Sequence, residues 1–450
     1  MSSNIRVRFA PSPTGYMHIG NLRTALYNWL FARHTGGTFV LRIEDTDRQR
    51  HNDDAVSVII NGLKDLGLNY DEGPYFQSDR LEIYRSYAEK LVGTGQAYRS
   101  DRGEAEKGEA VILRAPVEDV YWVDEVKGGI TFAAQDLQEL VILKSDGFPT
   151  YNFACVIDDH EMGITHVLRG DDHVSNTPKQ IEVYRALGWE PPHFGHFPMI
   201  LGMDGQRLSK RHGAVKVTEF LEQGYLPHVI LNFIALMGWS PGDDREIMSI
   251  DEMVELFTLD RVRPTSSRFD YEKFAWMNGH YIRSMKPEEL LEPAKKALQR
   301  IGCLDLLPGD DWLAKAIELY RERIRTFSEF ARTIAVFLKP DSELRYSQDA
   351  YNKVLSKAGT ADTMKAVISA LEGIRTFDAA SLEAALREVG ERLSIGFGKI
   401  AQPIRVSLTG GTASPEIFNT MVLAGKDLTI RRMKLLLNYI ENGSVPIEGE

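Results

Sequence analysis

The chain has 450 residues, 43% of them hydrophobic and 26% charged, the balance of a soluble globular protein with several domains. Its only cysteines, Cys155 and Cys303, exclude a disulfide framework and fit a reducing compartment. A net charge of -11 at pH 7 argues against a nonspecific nucleic-acid coat, although a locally basic face would still suffice for phosphate.

In chain order, the N-terminus lacks a charged-then-apolar leader pattern. Alternating Ile5, Val7 and Phe9 with Arg6 and Arg8 predict a strand, followed by an amphipathic helix near 19–34. Between them stands Ala10-Pro11-Ser12-Pro13-Thr14-Gly15-Tyr16-Met17-His18-Ile19-Gly20-Asn21. Prolines 11 and 13 fix an extended turn, and Gly15 and Gly20 permit close backbone approach to a ligand. A helix start after a first strand is a favoured phosphate site, and His18 stands where an imidazole could donate to a phosphate oxygen. Alone, the segment also reads as a proline-rich loop with a surface histidine.

Thr38 to Ile43 predict a second strand, and helices follow near 52–66 and 78–94. The run Arg42-Ile43-Glu44-Asp45-Thr46-Asp47 leaves that strand at the sheet edge where α/β folds place ligand groups; Glu44 suits an ammonium, Asp47 a helix cap. Residues 99–150 change character and read as an insertion with short strands such as Ala110–Leu113 and Leu140–Leu143. The α/β pattern resumes at 164–168, 175–187 and 197–201. Asp158-Asp159-His160 and Asp171-Asp172-His173 have metal-ligand side chains but no two-histidine helical motif. Arg169, at a strand end, could bind a carboxylate in bidentate fashion.

Next comes a Met203-Asp204-Gly205-Gln206 turn and the basic loop Arg207-Leu208-Ser209-Lys210-Arg211. A cation closing over a triphosphate would favour the transition state over the ground state. The two motifs together suggest a nucleoside triphosphate gripped from two sides. From Thr218 onward helical periodicity dominates. The strongest apolar run there, Val229 to Trp239, is about half a membrane span. Basic clusters occur at Arg321-Arg323-Arg325 and Lys426-Arg431-Arg432-Lys434, and Trp312 and Tyr320 add aromatic rings of the kind RNA surfaces use.

With these motifs assembled, and with His166-Val167-Leu168-Arg169-Gly170-Asp171-Asp172-His173, Asn176-Thr177-Pro178-Lys179-Gln180 and Gly238-Trp239-Ser240-Pro241-Gly242, the chain closely resembles the bacterial glutamyl-tRNA synthetases, class I aminoacyl-tRNA synthetases. The resemblance runs over nearly the whole chain. It implies an α/β Rossmann-type class I catalytic domain (1–98 and 151–203) with an inserted α+β acceptor-end-binding domain (99–150). A stem-contact domain carrying the Lys210 loop (204–288) and an all-helical anticodon-binding domain (289–450) would follow.

The implied activity is ATP-dependent glutamate activation to the adenylate, with magnesium accompanying ATP, then transfer to tRNA(Glu). Charging of tRNA(Gln) is left open. Carried over by motif, His18, Gly20 and Lys210 would be catalytic. Pro11, Thr14, Gly15, Asn21, Arg207, Leu208, Ser209 and Arg211 would join them around ATP. Arg8, Ala10, Ser12, Glu44, Tyr151 and Arg169 would surround glutamate, with Glu44 facing the ammonium and the two arginines the carboxylates. Some relatives bind zinc through cysteines soon after the position of Tyr98; Tyr98-Arg99-Ser100-Asp101-Arg102 has none, so no zinc is expected. A cytoplasmic monomer with no membrane partner completes the expectation. The rivals are a truncated paralogue that glutamylates a modified nucleoside, disfavoured by the long helical region, a glutaminyl enzyme, a noncatalytic paralogue that binds tRNA or a protein partner, and a metal-dependent phosphohydrolase.

Overall fold

The computed structural model describes residues 5–13, 16–46, 53–101, 109–213 and 216–448. They fall into two compact units, one of residues 1–221 with 226–274, the other of 222–225 with 275–450.

The first unit opens with β1 (Arg6–Phe9), α1 (Ile19–Thr35), β2 (Thr38–Ile43), α2 (Asp53–Asp65), β3 (Glu72–Phe76) and α3 (Leu81–Gly93). It continues through β4 (Ala97–Ser100), β5 (Ala110–Leu113), β6 (Val120–Asp124), β7 (Gly128–Phe132) and β8 (Leu140–Leu143). Then come α4 (Tyr151–Glu161), β9 (His166–Gly170), α5 (Thr177–Leu187), β10 (His193–Phe197), β11 (Ile200–Leu201) and β12 (Ser267–Arg268). Five of the six β2 residues are buried, which is why Thr-Phe-Val-Leu-Arg-Ile reads as a nearly continuous apolar run. α1 ends at Gly36, whose φ of 65° suits glycine at a helix C-terminus.

Seven strands form one sheet in the order β3-β2-β1-β9-β10-β6-β7. Neighbours are parallel except in the β6–β7 hairpin. The chain moves outward from β1 to β2 on one side and returns to place β9 on the other, so the carboxyl ends of β1 and β9 flank a topological switch point, where such sheets bind ligands. The 99–150 stretch divides between two sheets: β6 and β7 extend the main sheet, while β5 and β8 join β4 in a three-stranded antiparallel one. The sequence reading lacked β3, whose Gly73-Pro74 looks like a turn; proline is tolerated because this is an edge strand. The strand expected at 197–201 is β10, four residues earlier, followed by the short β11 paired with β12.

The second unit is built of helices among its described residues. Segment 222–225 is tied in by the Phe327 and Ser328 amides, which donate to Gly224 and Gln223 at 3.3 and 3.2 Å. Gly224 has φ +82° and lies so near Phe327 that a Cβ would meet its atoms at 2.7 Å. Arg432 is fully buried, donating to Asp341 and to the carbonyls of Leu408 and Val336. Lys426 donates to the carbonyls of Glu372 and Ile374, and Lys434 pairs with Glu372. Much of the basic run on the last helix therefore holds helices together, and Trp312 likewise donates to the Leu423 carbonyl.

Candidate active site

The loop after β1 is pinned to the end of β2, since the Glu44 amide donates to the Pro11 carbonyl at 3.0 Å. It leads to His18, the extended N-cap of α1, whose first turn has no acidic side chain to occupy the positive end of the dipole. A Cβ added to Gly20 would meet nothing within 4 Å, so protein packing does not demand glycine there.

The second motif begins beyond β10. The Gly202 amide donates to the Gln206 carbonyl at 2.8 Å and the Leu208 amide to Ile200 at 3.2 Å, closing the turn. His212 clamps the loop: Nδ1 accepts from the Ser209 amide at 3.0 Å, and Nε2 meets Asp204 at 3.0 Å. The loop then returns to the first motif. His18 bridges Lys216, the Val217 amide donates to the Met17 carbonyl, and the Lys216 ammonium lies 3.8 Å over the Tyr16 ring.

The two motifs share a cleft of about 680 Å³ at the carboxyl ends of β1 and β9. Arg8, Ala10, Pro11, Ser12, His18, Gly20, Asn21, Glu44, Tyr151, Arg169, Arg207, Leu208 and Ser209 all line it. Arg211 does not; its guanidinium faces Asp204 at 3.6 Å. Thr14, Gly15 and the Lys210 side chain lie outside the described residues, as does Asp47. A second hollow, of about 1090 Å³, lies within the helical unit between Asp310–Tyr320 and Ile417–Ala424 and carries none of these motif residues.

Beneath the cleft is a buried charge cluster that the sequence reading did not assemble. Arg8 donates to both oxygens of Asp159 at 3.0 and 3.4 Å, and Arg42 donates to Asp159 at 2.7 Å and to Glu44 at 3.1 Å. Asp158 accepts from Gln77, Arg80 and the Tyr84 hydroxyl. Burial opposes ionisation of Asp159, yet Arg42 and Arg8 hold its carboxyl down at about 2. Glu44 is pushed up by burial, against the pull of Arg42 and Arg8. The Cys155 thiol, within reach of both arginines, is pushed up to about 12 by burial and by Asp159 and Glu44, so it stays protonated. The Asp158-Asp159 pair thus serves as counter-charge to arginines. The other cluster is likewise engaged: Asp171 pairs with Lys127 at 3.3 Å, and the Tyr151 hydroxyl meets His173 Nδ1 at 3.0 Å. Burial and Arg169 lower His173 to about 4, leaving a neutral ring.

Among the described residues, one group has metal-ligand geometry: Glu125, His166 and His193, their ligand atoms within 4.8 Å of one another. It sits at the amino ends of β9 and β10, away from the cleft, where His166 and His193 stack and His193 pairs with Glu125 at 3.0 Å. No helix among the described residues is long and apolar enough to cross a membrane.

A first-strand loop, a helix start and a returning basic loop surround one cleft, and the family match identifies their fold as a class I aminoacyl-tRNA synthetase catalytic domain. Residues 4–110 and 100–276 match the family of class I tRNA synthetases (E and Q), catalytic domain, and residues 289–437 match an anticodon binding domain. The chain is 42% identical to the glutamate–tRNA ligase of Thermodesulfovibrio yellowstonii, covering 96% of this chain and 99% of that one. It is also 42% identical to the glutamate–tRNA ligase of Geobacter sulfurreducens, covering 98% and 100%. A crystal structure of a glutamate tRNA ligase from Elizabethkingia meningosepticum, in complex with its amino acid, superposes with a TM-score of 0.86 at 31% identity over 97% of this chain and all of that one. The chain belongs to the glutamate–tRNA ligase family.

Proposed function

We propose that this family member activates glutamate in the 680 Å³ cleft and transfers it to tRNA(Glu). The observation that carries the reading is the convergence on that cleft of both phosphate motifs with Arg8, Glu44, Tyr151 and Arg169. The α-carboxylate of glutamate attacks the α-phosphorus of ATP, which enters as its magnesium complex, and pyrophosphate leaves. The terminal adenosine hydroxyl of tRNA then attacks the activated carbonyl, and AMP leaves. No covalent protein intermediate is needed, so positioning and charge stabilisation supply the acceleration.

In this reading His18, Gly20 and the α1 N-terminus contact phosphate, with Pro11, Thr14, Gly15 and Asn21 beside them. The loop from Arg207 through Leu208, Ser209 and Lys210 to Arg211 covers the triphosphate, and Lys210 neutralises charge as pyrophosphate departs. Ala10, Ser12 and Tyr151 frame the amino acid, Glu44 faces its ammonium, and Arg8 and Arg169 face its two carboxylates. Glutamine would leave one arginine poorly matched. The domain divisions at 99–150, 204–288 and 289–450, a monomeric state and a cytoplasmic location belong to the same proposal. No cysteine-based zinc site is included, since Cys155 lies under the cleft and Cys303 is buried in the other unit.

The test is ATP–pyrophosphate exchange with glutamate, with and without tRNA(Glu). Glutamate-dependent exchange that requires or is strongly stimulated by tRNA supports the reading; none with matched tRNA overturns it. Aminoacylation of tRNA(Glu) and tRNA(Gln) side by side then determines whether both are acceptors.

A further inference from the structure

We propose that Asp124, His196 and Thr177 form a positioning relay that presents the Arg169 guanidinium to the amino acid, an inference that rests on the assignment of Arg169 to glutamate. All four side chains are buried. Asp124, at the end of β6, holds the His196 ring of β10 through a short contact at Nδ1. The other Asp124 oxygen accepts the amides of His196, Val126 and Lys127 at 3.1, 3.1 and 3.0 Å, so the carboxylate itself is fixed.

That arrangement selects the tautomer. With the Nδ1 proton directed at a carboxylate, Nε2 offers its lone pair. It faces Arg169 Nε, a donor at 3.2 Å, and the Thr177 hydroxyl at 3.0 Å, whose one proton is shared between Nε2 and the His173 carbonyl at 3.3 Å. A protonated imidazolium would confront the guanidinium donor to donor. Burial keeps His196 below the usual histidine range, consistent with the neutral ring the geometry requires.

Thr177 closes the ring. Its oxygen accepts from Arg169 Nη2 at 2.9 Å, so the Nε–Nη2 edge of the guanidinium is held on both nitrogens. Arg169 lines the cleft, and its Nη1 is buried without a hydrogen-bond partner among the described residues. A buried donor left unpaired is costly, and a carboxylate in the cleft would satisfy it. The relay also supplies a counter-charge: Asp124 balances Arg169 through a neutral ring without occupying the end that meets the ligand. This is the logic by which a carboxylate orients a metal-bound histidine, here applied to an arginine.

The experiment measures ATP–pyrophosphate exchange with tRNA present, for His196→Leu, His196→Gln, Thr177→Val and Arg169→Lys in the full chain. The relay predicts that H196L raises the glutamate KM about tenfold or more, with kcat and the ATP KM changed less than about threefold. H196Q, whose amide oxygen can replace the Nε2 acceptor, should recover most of that loss. T177V, nearly isosteric, should raise the glutamate KM about threefold or more and stands in if H196L does not fold. A glutamate KM within about twofold of the parent in H196L and T177V, while R169K raises it, overturns the relay. So does a parallel rise in the KM for ATP, which would mark general damage to the cleft. An unchanged glutamate KM in R169K overturns the underlying assignment of Arg169 instead.

Discussion

The Val217 amide donates to the Met17 carbonyl at 3.2 Å, joining the far end of the basic loop to the residue before His18. The near end is fixed where the Leu208 amide meets the Ile200 carbonyl. These two hydrogen bonds fix the described ends of the loop, and Leu208 and Ser209 beside the first of them line the cleft. Val217 begins a helix, a position where proline is tolerated because the lost donor is not an intrahelical one. Val217→Pro should therefore leave the fold intact, cost about 1–2 kcal/mol and lower the activation kcat more than it raises the glutamate KM. Urea unfolding and exchange kinetics measure the two effects. A kcat equal to that of the parent would show that the tie does not set the loop's position.

Gly20→Ala separates packing from ligand approach. The new methyl meets nothing within 4 Å, and helix propensity should make the variant up to about 1 kcal/mol more stable. Gly20 lines the cleft, so if phosphate binds there as proposed, the ATP KM should rise about tenfold while the glutamate KM changes little. Thermal melts set against ATP titrations test this opposition.

Asp159→Asn should be among the most damaging single changes beneath the site. It leaves Arg8 and Arg42 without their shared carboxylate, a loss of about 3–5 kcal/mol for a broken buried pair. Asp159 is held at about 2 against an ordinary 3.8, so its contribution is whole above 3.8 and fades as pH falls through 2. The stability gap between parent and variant should therefore narrow as pH drops across that window. A gap independent of pH there would assign the loss to packing.

Lys210→Ala should cut the rate of adenylate formation by about 100-fold or more while changing glutamate binding by less than about threefold, as for a group acting on developing charge. Single-turnover kinetics beside glutamate titration make the comparison. Equal losses in both would contradict a transition-state role.

Of the groups lining the cleft, Glu44 after β2 and Arg169 on β9 were legible from their place at strand ends, whereas Arg8 and Tyr151 were named only through the family resemblance. Local pattern places such residues at the binding edge of an α/β sheet. Their partners were not legible. Asp159 is 151 residues from Arg8, and Asp124 is 72 from His196. Nothing in the local sequence of Asp158-Asp159-His160 distinguishes a counter-charge from a metal ligand; only the arriving guanidinium groups decide it. His196 escaped for a related reason, since His-Phe-Gly-His-Phe lacks the aliphatic signature of a buried strand. The β6–β7 hairpin read as part of an insertion, because strand pairing with β10 is a property of topology.

That pairing has a consequence for protein engineering. Residues 99–150 read in the sequence as a separate insertion, which invites their exchange as a block. Cutting them out would also remove the outer two strands of the main sheet and expose β10 as a raw edge. A chimera joined at those sequence borders would inherit an aggregation-prone margin. Placing the joints within the three-stranded sheet and retaining 120–132 from the host would avoid it.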